Sequence, residues 1–251
     1  MLTRCFFPKM IPDEGPSGGI KADGAASDTI AARKAELRRE SLRRRAAMSP
    51  AEQHAAALAL QPHLLGFLRR RCDTSGRHLH VAVFAPFRGE LNIGLDWPAV
   101  LELPLQLYFP RVAIEHEPHR LEMVPLPPGC QPDDWLRPGH FGVPEPPPPE
   151  TAEARSRAGE SVDPSQSAAG TPLDLVLLPG LVFDRYGGRI GWGKAYYDRF
   201  LASCRPRPAT AGIGYDFQVL DQELPLQPHD VRLDWLITPS GINRTGPVQV
   251  R

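Results

Sequence analysis

Cysteine is scarce in this 251-residue chain: Cys5, Cys72, Cys130 and Cys204 stand far apart, and none forms a C-x-x-C pair. That spacing offers neither a zinc site nor a disulfide framework, so isolated reduced thiols in a cytosolic setting are expected. Long apolar runs are missing too, and nothing approaches the roughly 20 residues that cross a bilayer. The opening MLTRCFFPKMIPDEGPSGG has too short an apolar patch for a secretory signal and contains acids. Net charge is absent as well, since 29 basic residues balance 29 acidic ones. No global field therefore draws the chain to nucleic acid or to an anionic membrane.

Proline, by contrast, is plentiful at 29 residues, about twice its ordinary share. Much of it lies in segments that cannot build a core. Residues 1–28, rich in Gly, Pro, Asp and Ala, read as a disordered leader. The stretch 144–171, PEPPPPETAEARSRAGESVDPSQSAAGT, has almost no apolar residues. It reads as a disordered surface loop inside one domain rather than as a linker between two. The domain itself is expected over 29–243, with a tail at 244–251. A hydrophobic content of 41% suits one adequate core.

Periodicity predicts two helices first, at 29–48 and from Ser49 to about Arg71. Ile30, Leu37 and Leu42 are sparse apolar positions on the first. Ser49-Pro50-Ala51-Glu52 has the form of a capping box with proline in the first turn. Leu58, Leu64, Leu65 and Leu68 are expected on the buried side of the second helix. Strand candidates follow at 79–84, 105–109, 121–125, 173–178, 210–215 and 233–238, with helices at 95–103 and 194–203. This alternation argues for an α/β domain: a central, mostly parallel sheet flanked by helices and preceded by two N-terminal helices. Ligands of such sheets gather beyond the carboxyl ends of the strands.

The densest chemistry lies in LLPGLVFDRYGGRIGWGKAYYDRFL, residues 177–201. A strand-like run feeds a glycine-rich turn that holds Arg189 and Lys194 and closes onto a helix carrying Tyr196, Tyr197 and Asp198. Amides freed in such a turn suit phosphate oxygens. Cations add charge, and a nearby carboxylate can hold the magnesium that accompanies a polyphosphate. Two familiar templates do not fit. Gly188-x-x-x-x-Gly193-Lys194 has Walker A spacing, but Ala195 replaces the hydroxyl residue that would hold magnesium. Gly191-x-Gly193 lacks the third glycine of a dinucleotide fingerprint, because Tyr196 stands there. From these residues alone, the turn is either a phosphate cradle or an ordinary glycine-rich connection.

The stretch resembles the signature of the 5-formyltetrahydrofolate cyclo-ligase family. The matching residues are Pro179-Gly180, Phe183-Asp184 and Gly187-Gly188-Arg189-Ile190-Gly191-Trp192-Gly193-Lys194-Ala195-Tyr196-Tyr197-Asp198, with one family glycine replaced by Ala195. The likeness extends over about 33–239. It takes in Lys34-x-x-x-Arg38, Glu90, Phe109-Pro110-Arg111, Phe141-Gly142-Val143-Pro144-Glu145-Pro146 and His229-Asp230.

The resemblance implies an ATP-dependent ligase, with ATP as co-substrate, a reduced folate as substrate and Mg2+ as cofactor. It implies ATP contacts at Lys34, Arg38, Arg189, Ile190, Gly191, Trp192, Gly193, Lys194, Ala195, Tyr196 and Tyr197. Folate contacts are implied at Ala85, Glu90, Trp192, Gly193, Lys194, Ala195 and Tyr196, catalytic charge at Lys194 and Arg189, and metal ligands at Asp198 and Asp230. Partners would be small molecules, not nucleic acid or membrane, and the protein a cytoplasmic monomer.

Each assignment has a plainer alternative. The segment 33–45 holds seven basic residues and by itself reads as a solvated face. Tyr197 could point into the core. Asp198 could pair with Arg199, Asp230 with Arg232, and Glu90 with Arg88; Asp234 competes for the metal role. Arg111 could help orient the substrate, Phe141 could cover the ligand or join the core, and His229 could shuttle a proton or serve structure. Ala195 is crowded if its backbone needs positive φ and harmless if it is already helical; tolerance is expected. A non-catalytic folate- or nucleotide-binding protein is the alternative of another class. An RNA-binding arginine helix is the weakest, for want of aromatic interleaving and net charge.

Overall fold

The computed structural model describes residues 21–113, 119–139, 142–148 and 172–246. Two helices open it, α1 (Lys21–Ala47) and α2 (Pro50–Ser75). α1 begins ahead of the expected 29, so 21–28 continue a helix where a leader was predicted; residues 1–20 lie outside the described residues. The capping box forms at α2. The Ser49 amide donates to Glu52 Oε2 at 2.7 Å, and the Glu52 amide donates to Ser49 Oγ at 3.2 Å. Gly76 ends the helix at φ 62°, where a Cβ would be strained. Leu64 and Leu68 are buried, together with Ala57, Leu60 and Phe67. Leu58, expected inside, is 55% exposed, because the buried stripe runs through Ala57, Leu60 and Leu64 and passes it by.

The sheet strands are β1 (Leu79–Ala82), β2 (Leu105–Ala113), β3 (Arg120–Pro125), β6 (Leu175–Pro179), β9 (Ala209–Ile213), β11 (Trp235–Thr238) and β12 (Gly241–Arg244). Their spatial order is β12-β11-β9-β6-β1-β2-β3. Pairing is parallel from β11 through β2, and antiparallel edges close both sides. β6 is a continuous apolar strand with neighbours on both sides, as its unbroken Leu-Val-Leu-Leu run requires. The short helix α3 (Trp97–Leu101) carries the chain from β1 to β2. Among the described residues no helix is long and apolar enough to cross a membrane.

From β1 the chain moves to β2 on one side, then returns to β6 on the other. Connections thus leave in opposite directions between β1 and β6, which opens a crevice beyond their carboxyl ends. Two local features shape that crevice. A second sheet, β10 (Val219–Leu220), β7 (Val182–Asp184) and β8 (Arg189–Ile190), rises directly after β6. A pair, β4 (Arg137–Pro138) and β5 (Pro144–Glu145), stands near β2 and follows the one-turn helix α4 (Pro132–Trp135). Residues 144–148 of the expected disordered loop are therefore described, in part as a strand, while 149–171 lie outside the described residues. The expected tail begins inside β12, and 247–251 also lie outside.

Candidate active site

The glycine-rich stretch does not run straight from strand to helix. It folds first into the β7–β8 hairpin, and Asp184 is the reason. Its carboxylate is fully buried and accepts the amides of Tyr186 at 2.8 Å, Gly188 at 2.7 Å and Leu224 at 2.7 Å. Gly187 sits at φ 91°, where an added Cβ would lie 2.5 Å from the Leu233 carbonyl. The hairpin lifts residues 191–195 over the end of β6, and α5 (Tyr196–Ser203) follows. Ala195 caps α5 in the left-handed region, at φ 51° and ψ 24°. Of the two readings open for Ala195, positive φ is the one realised.

A cavity of about 610 Å³ lies between this loop, the β1–α3 connection, β2 and the first helix. That is the scale of small-molecule sites, roughly 300–1,000 Å³. Lys34 and Arg38 reach it from α1, Ala85 and Glu90 from the segment after β1, and Asp230 from the segment before β11. Residues 189–198 line another side of it, and Pro110, Val112 and Glu145 also border the space. Every residue expected to touch ATP, folate or metal thus borders one space.

Glu90 is the carboxylate that the segment after β1 brings to the cavity. Its Oε2 accepts its own turn's Phe87 amide at 3.2 Å, and its Oε1 accepts Trp192 Nε1 at 3.2 Å. Burial pushes its carboxyl above the ordinary range, against the pull of Trp192, Arg45 and the Phe87 amide. Trp192, not Arg88, is therefore its partner; the Arg88 guanidinium lies over the Phe87 ring. Trp192 is 42% exposed, a large apolar surface left uncovered beside the acid. Tyr197 borders the cavity with the Arg189 guanidinium carbon 5.6 Å from its ring centroid. Burial raises its hydroxyl well above the usual tyrosine value and keeps it neutral.

On the cation side, Lys34 is buried and its Nζ pairs with Asp230 Oδ2. Burial pushes the Asp230 carboxyl up, but the Gln227 amide at 2.6 Å, the Lys34 ammonium and His229 together hold it below its ordinary value. Arg38 Nε donates to the Gly191 carbonyl at 2.9 Å and lies beside Gly193, which takes φ 91°. Arg189 is 8% exposed and donates to Asp198 Oδ2 at 3.1 Å and to the Pro179 carbonyl at 3.3 Å. The other Asp198 oxygen accepts the Val231 amide at 3.3 Å, so the two acids meet at the 230–231 segment. Asp198 and Asp230 therefore pair with Arg189 and Lys34 rather than with Arg199 and Arg232. Lys194 is exposed and, among the described residues, enters no ion pair.

Some expectations move. Arg111 does not border the cavity: it pairs with Glu122 at 2.8 Å and donates to the Pro147 carbonyl at 3.2 Å. Asp234 is bound to Arg207 and Thr210 and is out of reach as a competing ligand. Ile190 packs with Leu181, Val182 and Leu224 while still bordering the cavity. Phe141 lies outside the described residues. Sequence reasoning passed over Ser41, whose hydroxyl donates to the Leu181 carbonyl, and Arg45, which is buried. Their i, i+4, i+7, i+11 spacing with Lys34 and Arg38 was the available signal.

Among the described residues no cluster of three or more His, Cys, Asp and Glu could hold a metal. Two carboxylates on adjoining segments suit a different kind of ion. Mg2+ keeps several waters and takes one or two protein carboxylates plus phosphate oxygens, so Asp198 and Asp230 fit it.

Comparison with known proteins gives the family. Residues 30–239 match the 5-formyltetrahydrofolate cyclo-ligase family. The mitochondrial 5-formyltetrahydrofolate cyclo-ligase of Arabidopsis thaliana is 43% identical over 83 residues, which are 30% of this chain and 30% of that protein. The Mus musculus cyclo-ligase is 34% identical and is matched over 44% of its length, so the chain spans less than half of these two relatives. The Mycolicibacterium smegmatis cyclo-ligase is 29% identical over 82% of this chain and 93% of its own. The solution structure of Aquifex aeolicus 5,10-methenyltetrahydrofolate synthetase superposes with a TM-score of 0.61 at 28% identity, covering 84% of this chain and 92% of that one.

Proposed function

The chain belongs to the 5-formyltetrahydrofolate cyclo-ligase family, and on that premise we propose that it converts 5-formyltetrahydrofolate to 5,10-methenyltetrahydrofolate, with ATP consumed to ADP and phosphate. One observation carries the reading. Glu90 and Trp192 border the same cavity as Lys34, Arg38, Arg189 and Lys194. An acid suited to the N–H donors of a pterin and four cations suited to a triphosphate thus share one space.

The chemistry needs that proximity. A formamide carbonyl is a poor electrophile, and its oxygen is a poor leaving group. In the proposed path the formyl oxygen attacks the γ-phosphorus, an O–P bond forms, and the bond to ADP breaks. The resulting iminium phosphate is attacked by N10, phosphate departs with the formyl oxygen, and N10 gives up its proton. No covalent nucleophile from the protein is required. The residues align two substrates, offset charge and exclude water. Glu90 and Trp192 would hold the folate ring, with Ala85 and Tyr196 beside it. Lys34, Arg38 and the 190–195 backbone would hold the triphosphate. Arg189 and Lys194 would meet the charge that shifts onto the phosphate oxygens. Asp198 and Asp230 would hold Mg2+, which supplies charge neutralisation of the phosphates when bound.

The test is the absorbance of the methenyl product, with 5-formyltetrahydrofolate and magnesium, with and without ATP. Product only with ATP is expected; binding of both ligands without product would leave a non-catalytic binding protein. Glu90→Gln and Lys194→Ala should each lower turnover or affinity strongly, and normal turnover by both would sink the site assignment. The reading takes the protein as a cytoplasmic monomer, to be checked by light scattering and cell fractionation.

A further inference from the structure

Arg45 lies on the face of α1 that carries Lys34 and Arg38, yet it is 2% exposed and is absent from the cavity wall. Its Nε, Nη1 and Nη2 have no hydrogen-bond partner among the described residues. A buried guanidinium without hydrogen bonds is costly and calls for a compensating charge or role. Its surroundings supply both. The guanidinium carbon stands 5.7 Å from the centroid of the Trp192 ring. Its stem lies 3.4 Å from where a Cβ at Gly89 would be, and Gly89 takes φ 72°, so only glycine suits that turn. From another side the Tyr215 hydroxyl donates to the Gly89 carbonyl at 3.2 Å. Arg45 thus backs both groups that grip the Glu90 carboxylate, the Phe87–Glu90 turn and Trp192. Its charge and that of Glu90 support each other: each favours the ionised form of the other against burial.

We propose that Arg45 is a positioning residue. From behind the cavity wall it keeps the Glu90 carboxylate charged and Trp192 seated against it, so that Glu90 presents acceptor oxygens to the N–H donors of a flat heterocycle. The folate reading enters only in naming that ring; the coupling of Arg45, Glu90 and Trp192 belongs to the free protein.

The groups around Glu90 leave this task to Arg45. Tyr197 from α5 and Tyr215 after β9 face it as neutral hydroxyls, both raised by burial. Arg88, in the same turn, lies over the Phe87 ring at 4.9 Å. Lys34 and Arg38 from α1 are engaged by Asp230 and the Gly191 carbonyl. Lys194 and Glu145 border the same cavity from the glycine-rich loop and β5. Without Arg45, only the hydrogen bonds from Trp192 and the Phe87 amide would oppose the burial of Glu90, and protonation would turn one acceptor oxygen into a donor of the wrong sense for a ring N–H.

Two measurements on Arg45→Met and Arg45→Lys test this. The first needs no ligand: the fluorescence of Trp192, isolated as the difference from Trp192→Phe, is titrated from acid to neutral pH. Arg45→Met is expected to move the transition upward by about one unit, about tenfold in proton affinity, and Arg45→Lys to move it less. The second is equilibrium binding. Arg45→Met should weaken 5-formyltetrahydrofolate on the order of tenfold or more, increasingly so at lower pH, with ATP affinity unchanged and most of the loss recovered in Arg45→Lys. Arg45→Gln carries the same comparison if Arg45→Met does not fold. An unmoved transition in a folded variant overturns the proposal, as does an equal loss of both ligands, which would make Arg45 merely structural. If the transition moves but the wild-type protein binds no reduced folate, the role of Arg45 stands and the reading of the pocket falls.

Discussion

Ala195 is the residue where sequence and backbone disagree most sharply. Its φ of 51° belongs to a region where a Cβ costs about 1–2 kcal/mol, and glycine there gives back about 0.5–1 kcal/mol through chain entropy. Ala195→Gly should therefore stabilise the protein by up to about 1 kcal/mol in urea unfolding, while Ala195→Val should lose more than that. A helix-like φ at this position would have made Gly the worse residue, so the sign of the change is the test. Lys34 and Asp230 give a second prediction. The carboxyl of Asp230 is held below its ordinary 3.8. Such a group adds stability that is fully present above its unfolded value and is lost as pH falls through the folded one. Lys34→Met leaves the half-buried Asp230 with only the Gln227 amide and His229 beside it. It should cost about 2–4 kcal/mol at neutral pH, with the deficit shrinking in acid as the unpaired carboxyl protonates. A deficit constant with pH, measured by denaturation at several pH values, would show that packing rather than charge was lost.

At the scale of the element, the first helix explains what could and could not be read from the chain. Its buried positions are Lys34, Ser41 and Arg45, with Leu37 and Leu42 only partly covered. Hydrophobic periodicity finds helices that dock by an apolar stripe. A helix that docks by polar groups looks like a solvated face, and so Ser41 and Arg45 were passed over while Lys34 and Arg38 were legible only through the family pattern. The strands were legible because unbroken runs such as 175–178 have no other place to go than a sheet centre. The β7–β8 hairpin was not, because two-residue pairing held by one buried carboxylate at Asp184 leaves no periodic trace. Ser41 then becomes a test of docking. Its hydroxyl donates to the Leu181 carbonyl, and Ser41→Ala removes that tie for about 1–2 kcal/mol. Because the same helix brings Lys34 and Arg38 to the cavity and carries Arg45 behind Glu90, the variant should bind both ATP and 5-formyltetrahydrofolate several-fold more weakly by calorimetry. Unchanged affinity for both would mean that the Ser41 tie does not set the docking of the helix.

For the molecule as a whole, the sheet and the first helix stand in different positions energetically. The strands are held by a continuous apolar core that includes Leu60, Phe109, Leu175 and Ile237. The first helix is held mainly by polar contacts: Lys34 to Asp230 and Arg38 to the Gly191 carbonyl at the cavity, and Ser41 to the Leu181 carbonyl beside it. A segment with little apolar burial opens at low free energy, independently of the sheet. A ligand that bridges the helix and the glycine-rich loop must then stabilise that docking. Bound at about 100 times its Kd, it contributes about 2.7 kcal/mol. Hydrogen exchange should therefore show residues 30–45 as the least protected long helix of the free protein, with protection rising by up to about a hundredfold when ATP and magnesium are added. β6 and β9 should change little, since their amides already exchange through global opening. Chelation of magnesium should return the helix to its free behaviour, because Asp198 and Asp230 would then fall back on Arg189 and Lys34. Uniform protection of sheet and helix by ATP would show instead that the helix never opens alone, and that the polar contacts at the cavity hold it as firmly as the core holds the strands.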